Sequence, residues 1–227
     1  MSGRDGTTVR EIEQALRRGP AHARGGGSQT SPATAATASA EAARMAAQRL
    51  SERMAEQGLA DVSYAPVDSP FGELLLAASE QGLLRLAFPE EDADSVLERL
   101  AARVSPRIVE APAQLDQIRR ELDEYFEGRR REFELPLDWT LVGPFGRRVL
   151  GATAQIPYGQ VLTYTEVAAE AGSPRGSRAA GNALGANPIP IVVPCHRVLR
   201  GSGALGGYAG GLPRKQFLLE MEGAVSS

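Results

Sequence analysis

The stretch Ile189-Pro190-Ile191-Val192-Val193-Pro194-Cys195-His196-Arg197-Val198 joins an apolar run to the only cysteine of the chain and one of its two histidines. An unassisted thiol is mostly protonated near neutral pH, although the thiolate is the reactive form. A neighbouring imidazole can take that proton, directly or through a water. The apolar run predicts a short buried strand that leads to a turn and holds the sulfur in a dry pocket. The alternative is a structural cysteine beside a satisfied histidine.

The composition of the 227-residue chain excludes several kinds of site. A single cysteine rules out an intrachain disulfide and a zinc site that needs several thiolates. We therefore expect no metal and no cofactor. The lone thiol suits a reducing compartment, no apolar run reaches the roughly 18 residues that would cross a membrane, and the N-terminus lacks an apolar signal core. These features predict a cytoplasmic protein without membrane contact.

Charge is distributed unevenly along the chain, although the formal net charge is only −3. From Gly143 to the end there are eight basic and four acidic side chains, a charge of +4, whereas the remainder carries −7. A basic part joined to an acidic part is compatible with a nucleic-acid contact on one face of the protein. It is equally compatible with an ordinary scatter of surface charge.

Residues 1–60 predict a flexible or helical N-terminal extension. A capping box at Thr8-Val9-Arg10-Glu11 opens a short helix that Gly19-Pro20 stops. Residues 20–40 are mostly Ala, Gly, Ser and Thr, which predicts a flexible linker. A second helix is expected over Glu41–Gln57, with Gly58 as its stop.

Residues 61–138 predict a small α/β domain without a catalytic cluster of its own. Turn residues join three short strands into a meander, and two helices follow. The expected elements are strands at Val62–Val67, Glu73–Ala78 and Leu83–Phe88 and helices at Asp92–Val104 and Ala113–Phe126.

Residues 143–223 predict a second domain, which is mainly helical. Pro144 suits the first turn of a helix. A capping box at Thr163-Tyr164-Thr165-Glu166 then opens a short helix, and another is expected over Arg175–Ala186. Two short helices across a tight turn are typical of a helix-turn-helix, although many helical hairpins share the pattern. A last amphipathic helix is expected over Pro213–Met221, with Phe217, Leu218 and Met221 directed inward.

The decapeptide and its surroundings resemble the O6-alkylguanine-DNA alkyltransferases, also called methylated-DNA–protein-cysteine methyltransferases. The likeness is continuous over about residues 143–223. The matching segments are Pro157-Tyr158-Gly159, Thr163-Tyr164, Glu166-Val167-Ala168, Arg178-Ala179, Gly181-Asn182, Asn187-Pro188, the loop from Gly203 to Lys215, and Glu222-Gly223. Over 61–138 the likeness is looser and rests on size and strand order. It implies an α+β fold, with a ribonuclease-H-like domain before a helix-turn-helix, winged-helix-like alkyltransferase domain.

The resemblance also implies a reaction. A thiolate attacks the alkyl carbon of O6-alkylguanine, or of O4-alkylthymine, and keeps the alkyl group irreversibly, so that each molecule acts once. By resemblance, Cys195 is the nucleophile, His196 deprotonates it through a water, and Glu222 orients the imidazole. Tyr164 would donate to the leaving guanine, with assistance from Lys215.

By the same resemblance the partner is double-stranded DNA, from which the damaged base is rotated out. Arg178 would fill the gap in the duplex, and small residues at Ala179 and Gly181 suit an approach to the minor groove. Asn187 would link this helix to the active-site turn. Tyr208 and the backbone around Ala209 and Gly210 would line the base pocket, and Val198 is the remaining predicted DNA-binding residue. We expect a monomer. Residues 1–60 match nothing in the family, and we expect an unknown partner to bind them.

The chain departs from the family pattern in two respects, and two other functions stay open. The zinc ligands of some members are absent, and Ala209 stands where several relatives have a serine that bonds the alkylated oxygen. A backbone amide must then make that bond. The first alternative is a helix-turn-helix module that recognises alkylated bases or regulates transcription, with Cys195 as a sensor. The second is a cysteine hydrolase, for whose oxyanion hole no motif is found.

Overall fold

The computed structural model describes residues 32–225 and has the α+β architecture that the sequence predicts. Among these residues, 32–43 and 44–225 belong to two structural units. Helix α1, Pro32–Glu56, begins in the first unit and ends in the second. In the described range no helix is both long and apolar enough to span a membrane.

Helix α1 begins earlier than the sequence predicts. The flexible linker expected over residues 20–40 is wrong for residues 32–40, which are helical. Alanine has the highest helix propensity, and proline fits the first turn of a helix, so this segment is a good helix start. The helix ends before Gly58, which has a positive φ of 66°, as expected of a stop. The predicted helix that opens at Thr8 lies outside the described residues.

The second unit begins with a four-stranded sheet of order β3-β2-β1-β4. Its strands are β1 Val62–Val67, β2 Leu74–Ser79, β3 Gly82–Ala87 and β4 Ile108–Glu110. The first three form the predicted antiparallel meander. Strand β4 pairs parallel to β1 and was not predicted, because three residues are too few for a recognisable alternation. Helix α2 is Ala93–Arg103, and a short 3-10 turn leads into α3, Asp116–Phe126.

Four helices and a two-stranded parallel sheet follow. They are α4 Pro144–Ala154, β5 Leu162–Thr163, α5 Tyr164–Glu170, α6 Ser177–Gly185, β6 Val198–Leu199 and α7 Leu212–Met221. The capping box at the start of α5 is present: Thr163 accepts from the Glu166 amide, and Glu166 accepts from the Thr163 amide. Helix α6 begins later than predicted, because the Gly176 amide donates to the Ser173 carbonyl and extends the turn.

One large hydrophobic core joins the sheet to the later helices. It contains Leu76 of β2, Tyr125 of α3, Val149 of α4 and Leu218 of α7, together with Cys195. A smaller cluster that includes Leu84 and Leu100 packs beneath α2. The residues that carry the sequence motif are therefore packed against elements from both halves of the second unit.

Two local predictions are wrong. Residues 189–194 are buried, but they form a turn in which Pro190 bridges to Val193. Proline has no amide hydrogen to donate to a strand ladder, and this segment contains two prolines. Phe217 was expected to point inward, yet it is 42% exposed and meets Phe71 edge-on with the ring centroids 5.2 Å apart.

Gly82 provides a test of how closely β3 packs against the connection to the helical part. It has a φ of 129°, and a Cβ there would lie 2.1 Å from the carbonyl oxygen of Pro136. We expect Gly82→Ala to lower the free energy of unfolding by about 2–4 kcal/mol, since the backbone must move and strain remains. The measurement is urea denaturation, followed by the fluorescence of the single tryptophan, Trp139.

The matched control for this prediction is Gly128→Ala. Gly128 also has a positive φ, 71°, but a Cβ there would meet nothing within 4 Å. Its substitution should cost only about 1–2 kcal/mol, from backbone conformation alone. Equal losses in the two variants would contradict the close packing at Gly82.

Candidate active site

Cys195 begins a single 3-10 turn, Cys195–Arg197, and is only 4% exposed. Its Sγ accepts a hydrogen bond of 3.1 Å from Nδ2 of Asn187. Burial raises the pKa of the Cys195 thiol to about 11, although the bond from Asn187 and the positive charge of Lys215 act in the opposite direction. The thiol is therefore protonated at neutral pH unless a base takes its proton.

Asn187 ties the end of α6 to the turn that carries the thiol. Besides its bond to the sulfur, Nδ2 donates to the carbonyl of Val193 at 2.9 Å, and Oδ1 accepts from the Ile189 amide at 3.0 Å. The next residue, Pro188, is bound to the sheet, because its carbonyl accepts a hydrogen bond of 2.9 Å from the Leu86 amide of β3. The Asn187 side chain therefore connects the end of α6 to the turn that carries Cys195.

His196 and Glu222 form a buried pair, with Nε2 of the imidazole 2.9 Å from Oε1 of the carboxylate. Burial disfavours the charged form of Glu222, but hydrogen bonds from His196 and Arg197 outweigh it and bring its pKa to about 2. Because an ionised carboxylate can only accept, the hydrogen lies on Nε2. Nδ1 is then the basic nitrogen, and it has no hydrogen-bond partner among residues 32–225. Burial lowers the pKa of His196, against the pull of Glu222.

Three further groups hold the Glu222 carboxylate. Arg197 donates to both oxygens at 2.8 Å, Tyr125 of α3 donates to Oε1 at 2.5 Å, and the Gly159 amide reaches Oε2 at 3.4 Å. Neither Arg197 nor Tyr125 was among the predicted site residues. Arg197 lies within the quoted decapeptide, directly after His196, and that position could have identified it as a site residue. Tyr125 lies in the helix that the sequence predicts over Ala113–Phe126, where no motif marks its hydroxyl.

Lys215 and Val198 meet each other beneath the thiol turn. Both are wholly buried, and Nζ of Lys215 donates to the carbonyl of Val198 at 2.5 Å. Burial lowers the pKa of Lys215 to about 8, although a negative charge on Cys195 would raise it. The lysine is therefore a buried charge close enough to the thiol to favour its ionised form.

Tyr164 stands between α6 and the loop that follows β6. A Cβ on Gly181 would lie 3.7 Å from its ring, and a Cβ on Gly206 would lie 2.2 Å from its hydroxyl. The hydroxyl donates to the carbonyl of Gly207 at 3.4 Å. Burial raises the pKa of Tyr164, and the charge of Cys195 adds to the effect, which keeps the phenol a proton donor.

The predicted base-pocket residues lie on the same loop. Tyr208 meets His196 edge-on with the ring centroids 6.3 Å apart, and its buried hydroxyl has no hydrogen-bond partner in the described part of the chain. Gly210 is buried, since a Cβ there would lie 2.7 Å from the ring of Phe88. Ala209 is exposed. The loop thus presents one side to the His196 ring and another to the end of β3.

Helix α6 presents an outward face near this cluster. Arg178 and Ala179 are exposed, and Gly181 is half-buried. A groove of about 460 Å³ lies at the C-terminal end of the helix, and Asn187, Pro190 and Ala209 are among its lining residues. Cys195 does not line the groove, but Asn187, which bonds its sulfur, does.

Two family models match the chain. The DNA binding domain of 6-O-methylguanine DNA methyltransferase matches residues 144–224, and the ribonuclease-like domain of the same family matches residues 62–139. The second match agrees with the ribonuclease-like fold expected for the first part. Together the two matches cover both the sheet and the helices around Cys195.

Curated relatives and solved structures agree with these matches. Methylated-DNA–protein-cysteine methyltransferases of Methanosarcina acetivorans and Mycolicibacterium paratuberculosis are 39% and 42% identical over 71% of this chain and 98% and 92% of theirs. The O6-methylguanine methyltransferase of Mycobacterium tuberculosis matches with a TM-score of 0.62 and 37% identity, over 73% of this chain and 95% of that one. A complex of Mycobacterium tuberculosis OGT with DNA matches with a TM-score of 0.59 and 38% identity, over 71% and 93%. The chain belongs to the 6-O-methylguanine DNA methyltransferase family.

Proposed function

We propose that this protein repairs DNA by moving the alkyl group of O6-alkylguanine, and of O4-alkylthymine, to its own Cys195. The observation that carries the proposal is the buried cluster in which the only thiol of the chain follows the Asn187 hinge and adjoins the His196–Glu222 pair. In the reaction a bond forms between Sγ and the alkyl carbon, and the bond from that carbon to O6 breaks. The electron pair stays on guanine, which takes up a proton.

Proton removal from the thiol is the first requirement. Nδ1 of His196 is the free basic nitrogen of a ring whose Nε2 is engaged by Glu222. It takes the thiol proton through a water, and the carboxylate stabilises the imidazolium that forms. Asn187 and Lys215 stabilise the thiolate, since a hydrogen bond and a nearby positive charge both favour the charged form.

Charge on the leaving guanine is the second requirement. Tyr164, held against the Gly-rich loop, donates to the purine, and Lys215 contributes positive charge. Tyr208 and the backbone around Ala209 and Gly210 line the pocket for the base. Because residue 209 is alanine, the backbone amide of the loop donates to the alkylated oxygen.

The DNA partner is a duplex, bound on the outward face of α6. The small residues Ala179 and Gly181 allow a close approach to the minor groove. Arg178 fills the gap that the extruded base leaves. One chain supplies the whole cluster, which supports action as a monomer. A cytoplasmic location is part of the proposal, because the thiol must stay reduced to react, and an unknown partner for residues 1–60 stays a prediction.

We expect Cys195→Ala to abolish transfer while DNA binding is retained, because the thiol is the acceptor and is buried, whereas the outward face of α6 is exposed. Intact-protein mass before and after exposure to O6-methylguanine DNA measures transfer, and peptide mapping locates the modified residue. Wild type should gain the mass of one methyl group in place of a hydrogen, at Cys195. An unchanged wild-type mass would favour a binding module, and repeated release of product would favour a hydrolase.

Arg178→Ala should slow repair of duplex DNA by about tenfold or more, since an unfilled gap leaves unstacking uncompensated by a few kcal/mol. Reaction with the free base O6-benzylguanine, which needs no extrusion, should change by less than about twofold. Single-turnover rates with both substrates measure the effect. Arg120→Ala, which removes an exposed arginine from α3, is the control. Equal slowing on both substrates would contradict the gap-filling role of Arg178.

Lys215→Met should raise the pKa of the Cys195 thiol further, since it removes the positive charge that lowers it. At neutral pH, below the Lys215 pKa of about 8, labelling by iodoacetamide should slow about tenfold for a rise of about one pH unit. The chain has one cysteine, so labelling reports this thiol alone. Gln216→Met, on the exposed side of α7, is the control. An unchanged labelling profile in folded Lys215→Met would contradict the electrostatic role of Lys215.

A further inference from the structure

One residue of the cluster comes from the ribonuclease-like part of the chain. Tyr125 lies on α3, is wholly buried, and donates its hydroxyl to Oε1 of Glu222 at 2.5 Å. The two residues are 97 positions apart. The hydrogen bond therefore joins the first half of the second unit directly to the carboxylate that faces His196.

Tyr125 and His196 share one oxygen of that carboxylate. Oε1 accepts from the Tyr125 hydroxyl and from Nε2 of His196, and Nη2 of Arg197 reaches the same atom at 2.8 Å. Each donor withdraws part of the negative charge that would otherwise act on the imidazole. The phenol hydroxyl thus sets both the position of Oε1 and the share of its charge that reaches His196.

We propose that Tyr125 is a positioning residue for thiol activation, through which the ribonuclease-like domain controls the basicity of His196. The inference rests on the proposed function, because it gives His196 the role of base. Tyr125 touches neither the thiol nor a substrate in this scheme. It acts only by holding Oε1 of Glu222 and limiting the pull of that oxygen on the imidazole hydrogen.

The other charged and titratable groups around His196 do not mask the effect of Tyr125 on the protonation of the imidazole. Arg197 and Lys215 both disfavour a protonated imidazole, and Glu222 favours it. Tyr158, Tyr208 and Cys195 also lie near the cluster. Burial raises the pKa of Tyr125 far above neutral, so it remains a donor throughout the range in which His196 titrates. Loss of the Tyr125 hydroxyl leaves more negative charge on Oε1 of Glu222 to act on the imidazole of His196.

The test is Tyr125→Phe, with the protonation of His196 followed by nitrogen NMR of the imidazole rings. The chain has two histidines, and His22→Asn in every sample leaves the two ring nitrogens of His196 as the imidazole signals. We expect the His196 midpoint to rise by about half a pH unit, since a more charged carboxylate stabilises imidazolium. On the acid side of its pH profile, methyl transfer should slow about threefold. A midpoint raised by about half a pH unit lowers the fraction of unprotonated His196 by that factor. An unchanged midpoint in the folded variant would overturn the proposal.

Two controls separate this role from a structural one. Tyr158→Phe also removes a phenol hydroxyl, one that donates to the backbone carbonyl of Met221, and should leave the midpoint unchanged. In a Glu222→Gln background, Tyr125→Phe should produce no further shift, since the group through which it acts is gone. A shift in Tyr158→Phe, or one that persists without the carboxylate, would contradict the proposal.

A second variant covers the case in which Tyr125→Phe does not fold. Fluorotyrosine placed at position 125 keeps the ring and the hydroxyl but makes the phenol a stronger donor. The His196 midpoint should then fall, because more of the carboxylate charge is withdrawn. No change, or a rise, would count against the proposal. The proposed function is judged separately, by whether wild type gains a methyl group at Cys195.

Discussion

The buried carboxylate of Glu222 is the group on which the rest of the site depends. Removing a charge from water costs several kcal/mol unless its partners are in place, and loss of one partner leaves the others uncompensated. Its donors come from α3, from the turn at Gly159 and from the His196-Arg197 pair. One ionised group therefore fixes the end of α7 relative to three other segments. Arg197 also balances its charge, so that this carboxylate–guanidinium pair is neutral as a whole.

The thiol beside this cluster is held in an unreactive form. Burial keeps Cys195 protonated, and a protonated, enclosed thiol resists oxidation and stray alkylation. That protection matters for a protein whose thioether product is permanent, because every side reaction removes one molecule from use. Asn187 and Lys215 lower the pKa but do not overcome burial. In the proposed mechanism His196 accepts the proton, and the groups that surround its ring then set the reactivity of the thiol.

Short sequence patterns predicted the structural features that depend on residues close together in the chain. The capping box at Thr163, the three-stranded meander and the adjacency of Cys195 and His196 are of this kind. Tyr125 could not be assigned in that way. Its apolar neighbours on α3 account for its burial, whereas its hydroxyl meets a partner far away in the sequence. Only the tertiary structure supplies the acceptor for its hydroxyl.

The turn before Cys195 shows why a regular strand was the wrong expectation there. Asn187 and Cys195 are eight residues apart, a distance of about 26 Å in an extended chain. Their side chains are instead 3.1 Å apart, so the chain must reverse between them. Ile191 makes the reversal with a φ of 73°, at a cost of about 1–3 kcal/mol for a branched residue. The bonds of Asn187 to Ile189 and Val193, together with complete burial of Ile191, hold that conformation in place.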